Sequence, residues 1–406
     1  MSVPASPPRP GPVETRDRLL APDLARGVAL LGIALANCVV WLPGRDIGPL
    51  GKPVDGSAAD RAVDTVVGLL VDNRAFPMFT LLFAYGFVLL LRRMAAQQLP
   101  WPEARAVLLR RSLWLAVFGA AHMLLLFFGD ILLSYGLLGL MLVWVVRWSD
   151  ARLKVLGWSC LVALAGLSAL DGLGGALDQD LPGPLRQGTV VGDAVWRLLT
   201  LVSTVSTAPF VVAALVPPAV VGILLARRRV LERPQEHLPL LRRLVLVGFP
   251  VSVLGAVPLV LAATGAVDLA TGWDLLLATV HGLSGLVGAV AFVAAVAWWA
   301  GRRPAGPRPG GLPGALVAVG RRSLTCYLLQ SVLFTVLLPP WALGLADGAG
   351  TATVSTVAVG VYVVTLVVAV VLERAGDPGP AERLLRRLTY GSRRSAGGDG
   401  TAPVRP

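Results

Sequence analysis

The sequence contains little charge for its length. Asp, Glu, Lys and Arg make up 15% of the 406 residues, against about 25% in an ordinary soluble domain. Hydrophobic residues account for 55%, and the mean hydropathy is +0.72. This composition excludes a soluble enzyme, a disordered protein and a secreted disulfide scaffold, and it indicates a polytopic membrane protein.

Cysteine and histidine are scarce, with three residues of each. Cys38, Cys160 and Cys326 lie inside apolar runs and form no CxxC pair, so we expect small core residues, no metal and no permanently bound cofactor. Walker A, GxSxG and HExxH motifs are absent, which removes support for ATP-driven transport and for hydrolase chemistry of those types. The net charge of +12 is not arranged as a basic stripe interleaved with aromatic residues, so no nucleic-acid partner is expected.

Apolar runs dominate what is present. Ten runs are long enough, or nearly long enough, to cross hydrocarbon about 30 Å thick. They lie at residues 20–42, 75–91, 112–128, 131–146, 155–170, 208–226, 244–264, 275–299, 323–341 and 352–372. The stretch 60–73 carries acids opposite its apolar positions and predicts an interfacial helix instead of a span.

Positive charge alternates from one connecting segment to the next. Lys and Arg concentrate in segments 1–18, 92–111, 147–154, 227–243, 301–309 and 373–406. Because cytoplasmic loops carry such an excess, the sequence predicts an all-α polytopic bundle of about ten transmembrane helices with both termini cytoplasmic. A single transmembrane domain is expected at 19–391, between disordered tails at 1–18 and 392–406. The expected partner is the bilayer, and the oligomeric state stays open. The segment 171–207 is expected to be an irregular outer loop.

Polar side chains within apolar spans are the candidate site residues, because each charged group there costs roughly 2.5–3.5 kcal/mol on insertion scales. Asp23 and Arg26 are three residues apart on the first run and are neighbours on one helix face. Asn37 follows Arg26 after eleven residues, which returns to within about 20° of the same direction. This stripe either holds helices together or contacts a substrate.

His122 and Asp130 are the candidate catalytic pair. His122 lies in the outer half of the third run, and Asp130 sits in the short turn that follows it. An acid this close can orient an imidazole and keep it basic. The alternative is a hydrogen-bonded core histidine.

The ninth run opens with a third polar group. Ser323, Tyr327 and Gln330 share one helix face, and Ser323 is placed to cap the helix. Arg321 and Arg322 mark the inner membrane edge, where they either snorkel and bond to neighbouring helices or form a cation cluster suited to phosphate or pyrophosphate.

Five segments together resemble a known family. They are DLARGVALLGIALANCVVW, FPMFTLLFAYGF, GAAHMLLLFFGDILLSYGLLGL, VGRRSLTCYLLQSVLF and GDPGPAERLLRRLTYG. In this order they resemble the YeiB-like family of bacterial membrane proteins, catalogued as domain of unknown function 418, over most of the chain. The expected location is therefore the bacterial cytoplasmic membrane.

That family is distantly similar to membrane acyltransferases, which pass an acyl group from a cytoplasmic coenzyme A thioester to a sugar across the membrane. The resemblance implies that the inner cations Arg26, Arg321 and Arg322 meet the coenzyme A pyrophosphate. It implies that His122 acts as general base with Asp130 orienting it, and that Asn37 or Tyr327 hydrogen-bonds the thioester carbonyl.

Two other functional classes stay open. A transporter or exporter of a small metabolite would also need polar residues within the membrane, although no repeat of the kind found in common transporters stands out. A non-catalytic assembly partner would use the polar stripes only to hold its helices together.

Overall fold

The structure is a computed structural model that describes residues 19–43, 45–173, 188–267, 272–303 and 309–391. The predicted tails at 1–18 and 392–406 lie outside the described residues, as does the Gly/Pro-rich part of segment 171–207. Throughout the described ranges the fold is helical, with an isolated bridge between Ile47 and Pro53 but no strand. The expectation of an all-α polytopic bundle is confirmed.

Fifteen α-helices occupy the described ranges. They are α1 (Leu20–Cys38), α2 (Ala58–Leu70), α3 (Ala75–Ala96), α4 (Trp101–Leu125), α5 (Leu132–Val145), α6 (Asp150–Ser159), α7 (Leu161–Ala169), α8 (Val190–Ser206), α9 (Ala208–Arg227), α10 (Leu238–Ala263), α11 (Trp273–Gly301), α12 (Gly311–Arg321), α13 (Ser323–Leu337), α14 (Thr351–Arg374) and α15 (Pro380–Tyr390). Short 3-10 turns occur at Val39–Trp41, Pro49–Gly51, Leu170–Leu173 and Pro234–His237.

The ten predicted spans correspond to eight helical segments and two shorter helices. In the described part of the chain, eight segments are long and apolar enough to cross a membrane. The helices α5 and α13 are apolar but have only 14 and 15 residues. Most side chains of α5 are buried. The helix is therefore surrounded by other helices instead of lipid and does not need the full length of a lipid-exposed span.

The acidic face of α2 points into the protein, which differs from the interfacial helix that the sequence predicts. Asp60 and Asp64 are buried, whereas Val66 and Leu70 are 57% and 43% exposed. Asp60 accepts a hydrogen bond from the Ala352 N–H at 2.8 Å. Asp60 and Asp64 therefore lie on the inward face together with Val67, whereas Val66 and Leu70 point outward.

The second half of the expected outer loop is a regular helix. Residues Val190–Ser206 form α8, whose start is capped by the Thr189 hydroxyl accepting from the Gly192 N–H at 3.0 Å. This cap and the apolar content of the stretch outweigh the turn-forming residues before it. The helix packs against α4 and α9.

The first helix crosses the centre of the bundle and contacts α3, α11, α12, α13 and α14. Its crossing with α12 depends on two glycines. A Cβ at Gly27 would overlap the carbonyl oxygen of Leu316, and one at Gly320 would overlap that of Asp23. Small residues permit this backbone approach, which brings Arg321 beside the polar start of α1.

Candidate functional site

A cavity of about 650 Å³ lies between the ends of α1, α3, α4, α12, α13 and α15. The cavity lies at the end of the bundle that the distribution of Lys and Arg predicts to be cytoplasmic. Five arginines and two acids are among its lining residues: Arg26, Arg93, Arg111, Arg321, Arg386, Asp23 and Glu382. The excess of positive charge suits an anionic ligand.

The side chains of two of these arginines, Arg26 and Arg321, form ion pairs and hydrogen bonds with other residues of the protein. The Arg26 Nη1 atom lies 3.2 Å from Asp23 Oδ1, and its Nη2 donates to the Leu82 carbonyl at 3.1 Å. The Arg321 Nε atom lies 3.5 Å from Asp23 Oδ2, while its Nη1 donates to Glu373 Oε1 at 2.5 Å. The predicted neighbours Asp23 and Arg26 are therefore joined by Arg321 in one buried ion-pair network.

The other three arginines of the cavity lack such pairing among the described residues. Arg93, Arg111 and Arg386 are half-buried, and within the described ranges no ion pair or hydrogen bond of their side chains is found. A guanidinium whose N–H groups are unused can bind a phosphate through two parallel hydrogen bonds. The sequence predicts these three arginines only as part of the cytoplasmic charge of segments 92–111 and 373–406, and it assigns none of them to a site.

The start of α13 is capped by Glu382, although the sequence predicted Ser323 for that role. Glu382 Oε1 accepts from the N–H groups of Leu324 at 2.9 Å and Thr325 at 3.2 Å, and no side-chain cap comes from within α13. Ser323 lines the cavity instead. Burial raises the pKa of Glu382, although the hydrogen bonds from Thr325 act in the opposite direction.

Arg322 is not among the residues that line the cavity and bonds to neighbouring segments, which is one of the two alternatives that the sequence leaves open. Its Nη1 donates to Glu373 Oε2 at 2.6 Å, and its Nε donates to the Asp377 carbonyl at 2.8 Å. Because its donors are used within the protein, Arg322 joins α13 to α14 and the segment after it.

The candidate catalytic pair is a second, deeply buried centre. The Nδ1 atom of His122 lies 2.7 Å from Asp130 Oδ1, and the two side chains are 1% and 0% exposed. Asp130 Oδ2 accepts from the Leu133 N–H at 2.6 Å, and Tyr327 donates its hydroxyl to Asp130 Oδ1 at 3.4 Å. The His122 Nε2 atom has no hydrogen-bond partner among the described residues.

The close packing of α4 on α5 positions this pair. A Cβ at Gly119 would overlap the backbone of Leu133 and lie 2.6 Å from Asp130 Oδ2. Only glycine lets the turn approach α4 so closely. The sequence therefore needs Gly119 to bring Asp130 onto the imidazole of His122.

The cavity and the buried pair share two helices. Arg111 and His122 are eleven residues apart on α4, which places them on the same face about 16 Å apart along the helix axis. Ser323 and Tyr327 are one turn apart on α13. His122, Asp130 and Tyr327 are not among the residues that line the cavity.

The two remaining candidates are not in the cavity. Asn37 is half-buried on α1, and no hydrogen bond of its side chain occurs within the described ranges. Gln330 is buried, and its Nε2 atom has no partner among the described residues. A ligand role for either residue stays a prediction.

A third polar group, missed by sequence reasoning, lies at the opposite end of α3. Lys52 is 1% exposed, with its Nζ atom 3.1 Å from Asp72 Oδ2 and 3.9 Å from Asp64 Oδ1. Burial lowers the pKa of Lys52, but these two acids raise it above its ordinary value. Nearby, Arg74 donates to the Ser252 carbonyl at 2.8 Å. The charged residues Asp64, Asp72 and Arg74, which precede α3 in the sequence, were the signal from which this group could have been found.

Comparisons with known proteins agree with the resemblance stated above. Residues 225–392 match the family described as "Protein of unknown function (DUF418)". The chain is 30% identical over 137 residues to "Uncharacterized protein YxaH" of Bacillus subtilis (strain 168), covering 32% of this chain and 33% of that protein. It is 32% identical over 161 residues to "Uncharacterized protein YeiB" of Escherichia coli (strain K12), covering 39% of each.

The matched segments thus span between a third and two fifths of the length of these relatives. No solved structure matches the chain. The likeness to the YeiB-like, DUF418 family is confirmed, and the names of the relatives state no activity.

Proposed function

We propose that this protein is an acyltransferase of the bacterial cytoplasmic membrane. It accepts an acyl-coenzyme A from the cytoplasmic side and passes the acyl group to a hydroxyl of a cell-envelope sugar, a lipid or a small metabolite. The observation that supports this most is the cavity lined by Arg93, Arg111 and Arg386, whose side chains form no ion pair or hydrogen bond with another described residue. Multiple guanidinium groups facing one space suit a ligand with several phosphates.

The position of the buried pair supports a transfer reaction over simple binding. His122 lies on the same face of α4 as Arg111, about 16 Å further along the helix. A phosphopantetheine arm is an extended chain that could follow this face from the arginines toward the pair. Arg26 and Arg321 add positive charge at the cavity wall while staying paired with Asp23.

In this proposal His122 is the general base. Its Nδ1–H is held by Asp130, which leaves Nε2 to take the proton of the acceptor hydroxyl. The acceptor oxygen then bonds to the thioester carbonyl carbon, and the C–S bond breaks to release coenzyme A as a thiolate that takes up a proton. Tyr327 donates to Asp130 and so positions that acid, which leaves Asn37 as the proposed donor to the carbonyl.

The buried state of the imidazole sets a condition on this mechanism. Because the His122 side chain is 1% exposed, the acceptor reaches Nε2 only after the outer end of α4 opens. The proposal therefore requires an opening step before the proton is transferred.

The experiment compares coenzyme A with pantetheine, which has the arm but no phosphates. Binding is measured by calorimetry on protein in lipid nanodiscs, for wild type, Arg111→Gln and Arg386→Gln. Each variant has a matched neighbour, because Arg110 and Arg387 are exposed and adjacent in sequence. We expect coenzyme A to bind and pantetheine not to bind. Each cavity variant should lose about tenfold or more of its affinity for coenzyme A, since a hydrogen bond to a charged group contributes about 1.5–3 kcal/mol.

Arg110→Gln and Arg387→Gln should bind coenzyme A as wild type does. Equal binding of pantetheine, or equal losses in the neighbours, would contradict a phosphate site in the cavity. Acyl transfer itself is followed as release of free thiol in the presence of candidate acceptors. Wild-type thiol release by His122→Ala would exclude His122 as the base.

A small-metabolite exporter is the second candidate. It is favoured by the charged cluster of Lys52, Asp64 and Asp72 at the end of α3 opposite the cavity, since a transported metabolite needs polar contacts along its path through the membrane. Counterflow of an anionic metabolite in proteoliposomes, without thiol release, would favour this function.

A further inference from the structure

A separate pocket of about 360 Å³ lies between the start of α4 and the end of α5. Its lining residues are Trp101, Arg105, Val143, Trp144 and Arg147. It is open to the outside of the bundle and shares no residue with the arginine cavity.

The pocket is built from two reciprocal pairs. The Arg105 guanidinium of α4 lies 4.0 Å from the centre of the Trp144 ring, and the Arg147 guanidinium lies 4.8 Å from that of Trp101. Trp101 of α4 thus stacks on Arg147, which lies just beyond the end of α5, and Trp144 of α5 stacks on Arg105 of α4. The two other stacked arginines in the described ranges, Arg302 on Trp298 and Arg303 on Trp299, are local pairs four residues apart.

Stacking fixes each guanidinium without using its N–H groups. Arg105 and Arg147 have no ion pair or hydrogen bond to another described residue, and the Nε atom of Arg105 is buried without a partner. A guanidinium held face-on by an indole presents its donor edge, which matches the geometry of phosphate. Two such edges around one pocket favour an anion.

The position of the pocket identifies the source of that anion. Residues 92–111 and 147–154 are both rich in arginine and predicted to be cytoplasmic, so the pocket lies at the inner membrane interface. Leu137, Leu140 and Trp144 recur at helical spacing on α5 and remain partly exposed. This apolar stripe leads from the pocket into the hydrocarbon region, where acyl chains can follow it.

We infer that Arg105 and Arg147, stacked on Trp144 and Trp101 respectively, bind the phosphate of an anionic phospholipid of the inner leaflet. The two unpaired positive charges favour a headgroup such as phosphatidylglycerol, because a zwitterionic headgroup adds a cation beside the guanidinium groups. The site is independent of the arginine cavity and of any acyl transfer.

The experiment measures lipid retention by native mass spectrometry on full-length protein released from nanodiscs. The nanodiscs contain equal amounts of phosphatidylglycerol and phosphatidylcholine. Wild type and the variants Arg147→Gln and Arg105→Gln/Arg147→Gln are compared with Arg302→Gln/Arg303→Gln as the matched control. We expect wild type to retain phosphatidylglycerol preferentially, the double variant to lose about tenfold or more of this preference, and the control to keep it.

Arg147 is exposed, so the single variant leaves the core intact and should still show a measurable loss. An unchanged preference in this correctly folded variant would overturn the inference. A further arm adds inorganic phosphate or glycerophosphoglycerol, each separately, to the protein that retains phosphatidylglycerol. Displacement of phosphatidylglycerol by the free headgroup but not by phosphate supports the lipid site, whereas occupation by inorganic phosphate alone would overturn it.

Discussion

The contact between His122 and Asp130 should contribute measurably to the stability of the bundle. Asp130 lies 2.7 Å from His122 Nδ1, and it accepts hydrogen bonds from the Leu133 N–H at 2.6 Å and from the Tyr327 hydroxyl at 3.4 Å. Hydrogen bonds to a charged group contribute about 1.5–3 kcal/mol each. Asp130→Ala should therefore lower the free energy of unfolding by about 3–5 kcal/mol, as expected for one member of a buried pair.

Asp130→Asn separates the two roles of this acid. An amide oxygen still accepts from the Leu133 N–H, but the amide nitrogen then faces His122 Nδ1. The charged contact with the imidazole is lost, together with the longer one from Tyr327, which uses the same oxygen, whereas the contact with the Leu133 N–H remains. The expected cost therefore falls to about 1.5–3 kcal/mol. A double-mutant cycle with His122→Phe should give a coupling energy in the same range.

The assay is reversible unfolding in mixed detergent and SDS micelles, with an exposed ion pair as the comparison. Arg45 and Asp55 approach to 2.6 Å, but the Asp55 side chain is 63% exposed, so their coupling should be below about 1 kcal/mol. A coupling energy for His122 and Asp130 no larger than that of the exposed pair would refute the reasoning. In the acyl-transfer assay, Asp130→Asn should also reverse the imidazole tautomer and lower turnover by a factor of about 10³–10⁴.

Three further predictions concern other parts of the fold. Because burial raises the pKa of Glu382 above 4.5, its carboxyl favours folding most below that pH, and the free energy of unfolding should fall as pH rises through the higher folded-state pKa. Gly27→Val should destabilise the bundle by more than about 1–3 kcal/mol through backbone overlap. Lys52→Met should cost about 3–5 kcal/mol, because it leaves the buried Asp64 and the partly buried Asp72 without their cation.

Each of these has its own check. Glu382→Gln should remove the pH dependence of unfolding in that range, and a slope equal to that of wild type would exclude this residue as the source. Gly360 has open space around its Cα position, so Gly360→Ala should be neutral or stabilising; a cost equal to that of Gly27→Val would contradict the close-packing argument. A Lys52→Met protein as stable as wild type in a detergent unfolding titration would show that the pair with Asp72 contributes nothing.

Local features of the site were predictable from the sequence. Asp23 and Arg26 are three residues apart on one helix, and His122 is joined to Asp130 by one short turn. Helical periodicity fixes the first contact, and chain connectivity keeps the second pair close. The prediction of Ser323 as a cap failed because the carboxylate that binds those N–H groups comes from Glu382, which is distant in sequence.

By itself the sequence determined the membrane class, the approximate spans and the expected side of each loop, because hydropathy and charge act segment by segment along the chain. The tertiary structure decided which polar groups share a space. Arg111 and Arg386 line one cavity only because α15 packs back against α4. Such contacts depend on the close fit of helix surfaces at positions such as Gly27 and Gly320, which no periodicity along a single helix specifies.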